Sequence, residues 1–387
     1  MGTFRPRRFS SLLFVPLLSA ITIGICQEAP RRQWAAVPYD PSEPVTGGLK
    51  ALTNPQERSA ALELLDRARQ NYTFYGPHAP AFTMKVSFTS SGQSLYEGSG
   101  SMQETWIGGG DHWTARIGST ETQRFIYRGQ MWGDNPSAPV PMRVQMARSA
   151  LLWPVGTPWA RVMLRASAAT IAGKSAMCIL TSGGMAIVEQ PRHWVEKEYC
   201  IEPETGNLLV WSEAPGHFVF YDYTTSTEFQ GHVVANDVSI YEAGHRVMQI
   251  HVDGIEDASS VKPESLQPTP QLMAKGPSFG LSFPMKFPLF VGSGQAMQPT
   301  TIPGQASQPT TIQSVFVHAT IDREGKVIEA EALQSSNPEL AEKAIETVRS
   351  RNQGSSGTQR EVYINVEFPK LEPVDRAQAI VHTSGVQ

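Results

Sequence analysis

The stretch from Val315 to Phe368 constrains the fold most tightly, because strand pattern, turn residues and a helix start follow one another there without a gap. Val315, Val317, Ala319 and Ile321 alternate with Phe316, His318 and Thr320, the period-two signature of a strand with one buried face. Asp322-Arg323-Glu324-Gly325 turns the chain, with Gly325 free to take positive φ. A second strand is predicted over Val327 to Leu333, with Ile328, Ala330 and Ala332 inward and Glu329 and Glu331 in water. Asn337 before Pro338 opens a helix: the asparagine can cap it, the proline misses no donor in the first turn, and Glu339 suits the helix dipole. Leu340, Ala341, Ala344, Ile345 and Val348 form its apolar stripe. After a Gly/Ser loop, a third strand sets Val362, Ile364, Val366 and Phe368 on one face, with Tyr363 and Asn365 outward. The predicted order is β-β-α-β, one helix on one small sheet.

Upstream, Asn54-Pro55 starts a helix with Ala60, Ala61, Leu64, Leu65 and Ala68 on one side, ending near Tyr72. Strand candidates follow in quick succession: Phe82 to Thr89, Tyr96 to Trp106, Trp113 to Ile117 and Arg124 to Tyr127. After a helix predicted over Val140 to Leu152 come Arg161 to Ile171, Ser175 to Leu180, Trp194 to Ile201, Leu208 to Ser212, Phe218 to Thr224, Val233 to Tyr241 and Arg246 to Ile255. One leading helix and a long antiparallel meander predict a curved sheet, a half-barrel, wrapped around that helix. The fold class is therefore α+β.

The N-terminus addresses the chain. Arg5, Arg7 and Arg8 precede an uncharged apolar run from Phe9 to Ile25 that meets Cys26-Gln27-Glu28, the layout of a secretory signal peptide cut before Gln27. Two alternatives stay open: lipidation of Cys26, against which Ile25 is bulky, and retention of the run as a short anchor with Pro16 in its middle. All three export the chain. Cys178 and Cys200 then remain, and an even pair in an oxidising compartment reads as a disulfide between neighbouring strands. Metal ligation is the weaker reading, since no histidine has ligand spacing to both.

The expected domains are a signal peptide or anchor at 1–26, a flexible leader at 27–54, the β-rich domain at 55–258, a linker at 259–312, the terminal unit at 313–370 and a disordered tail at 371–387. The linker contains a tandem repeat, Gln295 to Ile302 recurring as Gln305 to Ile312, whose prolines favour an extended spacer of ~3 Å per residue. Just before it, Phe279, Phe283, Phe287 and Phe290 alternate with Pro284 and Pro288 and are too apolar to hang in water, so they are expected to pack along the first domain.

Function classes narrow by exclusion. A net charge of −4 over 387 residues provides no basic footprint for nucleic acid. Ala168 to Ser175 matches a permissive phosphate-loop pattern but runs on into a strand, where a helix is required. His112, His193, His217 and His251 sit beside strand residues and read as structural, and no Gly-x-Ser-x-Gly elbow exists. No residue is assigned as catalytic, cofactor-binding or metal-binding. The tryptophans, concentrated in the first domain, read as core filling or, more sharply, as the lining of an acyl-binding cavity.

The segments ATIDREGKVIEAEALQSS, NPELAEKAIETVRSR and REVYINVEF resemble the C-terminal domain of TonB-type energy transducers, over about the last sixth of the chain. An aromatic and proline segment typical of that family after the helix is replaced here by Arg351-Asn352-Gln353-Gly354. The resemblance implies docking of an envelope protein or outer-membrane receptor peptide by strand addition, and energy transduction as one use of it. Val362, Tyr363, Ile364, Asn365, Val366 and Phe368 are the expected partner-binding edge. YEGSGSMQETWIGGGDHWTARI and RFIYRGQMWG look like the opening strands of LolA- and RseB-type envelope domains, an analogy of shape that implies an acyl ligand or an envelope-stress signal. The leading expectation is an exported, non-enzymatic envelope protein with a docking module; a lipophile carrier or stress sensor without transducer activity is the alternative, and an enzyme the third reading.

Overall fold

The computed structural model describes residues 37–38, 49–72, 74–75, 79–92, 94–108, 110–156, 162–182, 192, 196–278, 286–290, 312–334 and 338–369. The expected signal region with Cys26, the repeated spacer up to residue 311, Asn337 and the C-terminal residues from 370 on lie outside the described residues.

Two short pairing segments, β1 (Val37–Pro38) and β2 (Lys50–Ala51), precede helix α1 (Pro55–Tyr72). Then come β3 (Phe82–Ser90), β4 (Gly98–Ile107), β5 (Gly110–Ile117), β6 (Thr120–Tyr127), β7 (Gln130–Gly133) and helix α2 (Met142–Leu152). A second run holds β8 (Met163–Ile171), β9 (Lys174–Ser182), β10 (Lys197–Ile201), β11 (Leu208–Ala214), β12 (His217–Phe229), β13 (His232–Glu242) and β14 (His245–Asp257). After α3 (Pro270–Ala274) follow β15 (Lys286–Phe290), β16 (Ile312–Ile321), β17 (Val327–Gln334), α4 (Pro338–Ser350) and β18 (Arg360–Pro369).

The first fourteen strands make one sheet, ordered β1-β8-β9-β10-β11-β12-β13-β14-β3-β4-β5-β6-β7, with β2 also on β8. It is an open, curved, antiparallel sheet in which only β1 runs parallel to its neighbour. The two meanders join where β14 returns to β3, Met248 opposite Ser90 through Asp257 opposite Phe82. Alternation follows the pleat: in β3, Phe82, Met84, Val86 and Phe88 are buried, while Lys85 and Thr89 are exposed.

Expectation and structure differ over which helix the sheet wraps. α1 buries one stripe, Ala61, Leu64, Leu65, Ala68 and Tyr72. α2 is buried nearly all round, from Met142 to Leu152, with Arg143, Arg148 and Ser149 included. A helix without a wet face belongs inside, and its polar side chains then need partners within the protein.

Residues expected in the linker continue the folded structure. Leu266 packs with Ile107 and Ala258, and the Ser278 amide donates to the Met131 carbonyl at 2.7 Å. Phe287 and Phe290 belong to β15, a strand of the C-terminal sheet, and Phe279 and Phe283 lie outside the described residues. β18 offered an unpaired row of amides and carbonyls there, and the chain satisfies it from its own spacer.

The C-terminal sheet is ordered β15-β18-β16-β17. Its core joins Val315, Val317, Ala319 and Ile321 to Val362, Ile364 and Val366, with Ala344 and Val348 of α4 above. Gly325 has φ +92°, and a Cβ there would sit 2.7 Å from the Gly354 carbonyl oxygen, so the turn before β17 admits only glycine. Ile328 is 47% exposed, against expectation. Ile321 pairs with Val327 and Thr320 with Glu329, so Ile328 is the extra residue of a bulge and points outward. A second bulge, where Phe316 pairs with Gln334 and Val317 with Ala332, turns Leu333 toward the half-barrel core.

Candidate functional site

The other face of the small sheet is covered as well. Phe316, His318, Thr320, Tyr363 and Asn365 are all buried, and Phe316, Leu333 and Tyr363 join the core cluster of the half-barrel. Tyr363 and Asn365 therefore do not face outward. β18 is not an edge either, since β15 and β16 flank it, and the assignment of Val362, Tyr363, Ile364, Asn365, Val366 and Phe368 as an open edge is corrected. The tertiary reason is that the half-barrel supplies a second layer for the face that looked wet.

The seam between the two sheets is charged and dry. Glu242, at the end of β13, accepts from Arg143 Nη1 of α2 at 3.3 Å and from the Tyr363 hydroxyl of β18. His318 of β16 sits between two carboxylates, Nδ1 at 3.4 Å from Glu242 Oε2 and Nε2 at 3.5 Å from Glu361 Oε1. Glu361 reaches back across the seam and accepts from the Leu95 amide at 3.3 Å. The Tyr363 ring packs 5.2 Å from Phe316, 5.1 Å from His318 and 5.9 Å from His217 of β12. Gly216, with φ +80°, lets the backbone approach so closely that a Cβ would lie 2.5 Å from the Leu333 carbonyl oxygen.

Electrostatics follow from that packing. Burial pulls the His318 imidazole down, but Glu242, and after it Glu361, outweigh burial and raise its pKa to about 9. Burial pushes the Glu242 carboxyl up, and His318, Arg143 and His217 together hold it well below the usual carboxylate range. Burial, then Glu242, raises the Tyr363 phenol, which stays a donor.

A second buried cluster anchors α2. Arg148 donates from Nε and Nη2 to the two oxygens of Glu104, both at 2.7 Å, and from Nη2 to Asp111 Oδ2 at 3.2 Å. Tyr75 donates to Asp111 at 2.8 Å. The guanidinium lies 4.7 Å from the Trp113 ring centre and 5.1 Å from that of Trp153. Burial and then Glu104 push the Asp111 carboxyl well up, with Arg148 and the Tyr75 hydrogen bond opposing them. This is the bidentate geometry of a structural anchor.

Cys178 and Cys200 stand opposite each other on β9 and β10 and are bonded, S–S 2.04 Å. Glu198 lies beside them, and with both sulfurs in the disulfide the trio offers no thiolate to a metal. Ala172 and Gly173, with φ 49° and 79°, form the two-residue turn of the β8–β9 hairpin, so Ala168 to Ser175 holds no phosphate loop. His112 lies 2.8 Å from Gln123 and stacks on Phe125, His251 pairs with Asp237 at 2.9 Å, and His193 is outside the described residues.

Trp106, Trp113 and Trp211 are packed into the core, and Trp153 is 40% exposed; Trp159 and Trp194 lie outside the described residues. A cleft of about 630 Å³ opens on the opposite, polar face of β3 to β6, lined by side chains such as Lys85, Gln103, Thr114, Arg116 and Gln123. Among the described residues no helix is long and apolar enough to cross a membrane, which says nothing of strands.

The buried seam residue that sequence reading missed is His318. Its signal was present: Phe316 and Tyr363 are large aromatics on faces assigned to water, flanking a histidine.

No family model matches this chain, and no curated protein matches it either. Among solved structures, the crystal structure of MucB in complex with MucA(peri) aligns at 12% identity and TM-score 0.22, covering 55% of this chain and 60% of that one. The chain thus spans about 60% of that structure's length. The Pseudomonas aeruginosa MucA/MucB complex aligns at 11% identity and TM-score 0.26, covering 79% and 99%. LprF from Mycobacterium bovis aligns at 10% identity and TM-score 0.23, covering 55% and 97%.

Proposed function

We propose that this chain is an exported, non-enzymatic binding protein of the cell envelope, in which half-barrel and C-terminal sheet act as one body: an envelope sensor or carrier, and not an energy transducer. The seam carries this reading. A module that couples energy to a distant receptor has to swing on its tether, whereas here His318, Tyr363 and Phe316 are buried against the first domain. Desolvating Glu242, His318 and Arg143 is costly, and only a fixed complement of partners offsets it.

Export is supported by the Cys178–Cys200 bond and by the basic-then-apolar N-terminus. Strand pairing with a protein segment is the binding mode we favour. A protein partner is favoured over an acyl chain, because α2 and the buried tryptophans fill the helix side of the sheet and the cleft on the other side is polar. An enzyme is disfavoured, since the buried acids Glu104 and Glu242 are engaged by arginines.

The test is expression with the native N-terminus, followed by cell fractionation and in-cell cross-linking. The expected result is an envelope protein, oxidised at Cys178 and Cys200, cross-linked to another protein. Recovery in the cytosol with free thiols would overturn the proposal, as would receptor-dependent uptake lost both with an uncoupler and on deletion of 313–387.

A further inference from the structure

Strands β3 to β6 pair in antiparallel register without a shift, and that register sets two straight rows of side chains across the outer face of the half-barrel. In the first row Lys85 stands opposite Gln103, Gln103 opposite Thr114 and Thr114 opposite Gln123. Two residues along each strand, Ser101 stands opposite Arg116 and Arg116 opposite Glu121. Both rows line the cleft of about 630 Å³, a volume inside the ~300–1,000 Å³ of small-ligand sites. From β3 to β6 the rows run over three strand spacings of ~4.8 Å, ~14 Å in all. Asp253, the extra residue of the bulge between Val252 and Gly254, lines the cleft too, and accepts from the Ser87 hydroxyl at 2.9 Å.

The chemistry of the lining selects among ligands. Lys85 and Arg116 share it with the carboxylates of Glu121, Asp134 and Asp253, so neither sign of charge prevails and a polyanion finds no basic track. Gln103, Thr114 and Arg116 are exposed and have no hydrogen-bond partner among the described residues, whereas Lys85 is tied to Glu256 at 3.2 Å. The two rows hold no apolar side chain to receive an acyl chain. Each of these strands is already paired on both sides, so a peptide strand cannot add here and a ligand meets side chains only. Amide, hydroxyl and guanidinium groups at strand spacing match a ligand rich in hydroxyls, each of which both donates and accepts. We infer that this cleft binds an uncharged oligosaccharide laid across β3 to β6, with Gln103, Thr114 and Arg116 as its main contacts. Among the described residues no aromatic ring lines the cleft to stack on a sugar face, so hydrogen bonds carry the binding and the affinity is weak. The inference goes beyond the binding-protein reading and does not rest on it.

The experiment titrates the purified full chain with cellotetraose and chitotetraose as uncharged probes and a sulfated glucose tetramer as the anionic control, read by saturation-transfer NMR and calorimetry. One variant combines Gln103→Ala with Arg116→Ala; the control, Thr89→Ala, lies on the same outer face but outside the cleft. All three side chains are exposed, and both variants are required to keep the Cys178–Cys200 bond and the circular dichroism of the parent. The expected result is saturable binding of at least one uncharged tetramer by the parent, weakened about tenfold or more in the combined variant and unchanged by Thr89→Ala. No saturable binding by the parent at millimolar oligosaccharide, equal binding by the combined variant, or a preference for the sulfated tetramer overturns the inference. These readings leave cell location and protein cross-linking untouched, so failure of the cleft and failure of the envelope reading are told apart.

Discussion

His318 gives this protein a pH dependence above neutrality. Its pKa is raised to about 9 in the folded chain against about 6.5 when unfolded. The stabilisation is therefore complete below about pH 6.5 and is lost as the pH climbs through about 9, on the order of 3 kcal/mol at most. Glu242 works the other way, but its folded value is so low that its contribution persists through mild acid. Urea midpoints measured from pH 6 to 9.5 should fall between about pH 6.5 and 9, and His318→Gln should flatten the fall. A parent curve that is already flat there would remove His318 from the account.

Arg148 makes a different prediction. Arg148→Met leaves Glu104 buried and unpaired, for a loss of about 3–5 kcal/mol, whereas adding Glu104→Gln should recover much of it. Chemical denaturation of the single and double variants decides this.

Among the elements, the β9–β10 ladder carries a cross-link that the even cysteine pair of an exported chain suggested and pairing geometry accommodates. Replacing Cys178 and Cys200 by serine should cost about 3 kcal/mol, read as a drop in the urea midpoint with a larger change in m than a core substitution produces. The turn between β11 and β12 brings the half-barrel backbone against Leu333 of the C-terminal sheet. Gly216→Ala pushes a methyl group into the Leu333 carbonyl and strains a positive φ, so the seam should open. Amide hydrogen exchange along β17 should then quicken in the variant, while the half-barrel keeps its own melting behaviour.

At the scale of the molecule, the described residues from both sheets make one compact unit, and the seam that joins them is largely charged. One calorimetric transition is expected for the parent, with equal calorimetric and van't Hoff enthalpies. Combining His318→Gln with Tyr363→Phe should split it in two. A parent that already melts in two steps would show that the sheets fold independently and that the seam is weak.

Local residue choice decided much of this architecture. Alternation along β3 to β14, the glycine at 325, the stripe of α4 and the pairing of Cys178 with Cys200 all follow from contacts between sequence neighbours or adjacent strands, whose geometry repeats with periods of two or 3.6. Only the tertiary structure decided that α2, and not α1, lies innermost, that β15 covers β18, and that His318 is buried between Glu242 and Glu361. Those outcomes depend on what a distant segment places against a face, and periodicity reports a face without naming what covers it. The Val315 to Phe368 unit was legible as a fold, while its function waited on the layer packed against the side of Phe316, His318 and Tyr363 that its pattern had left to water.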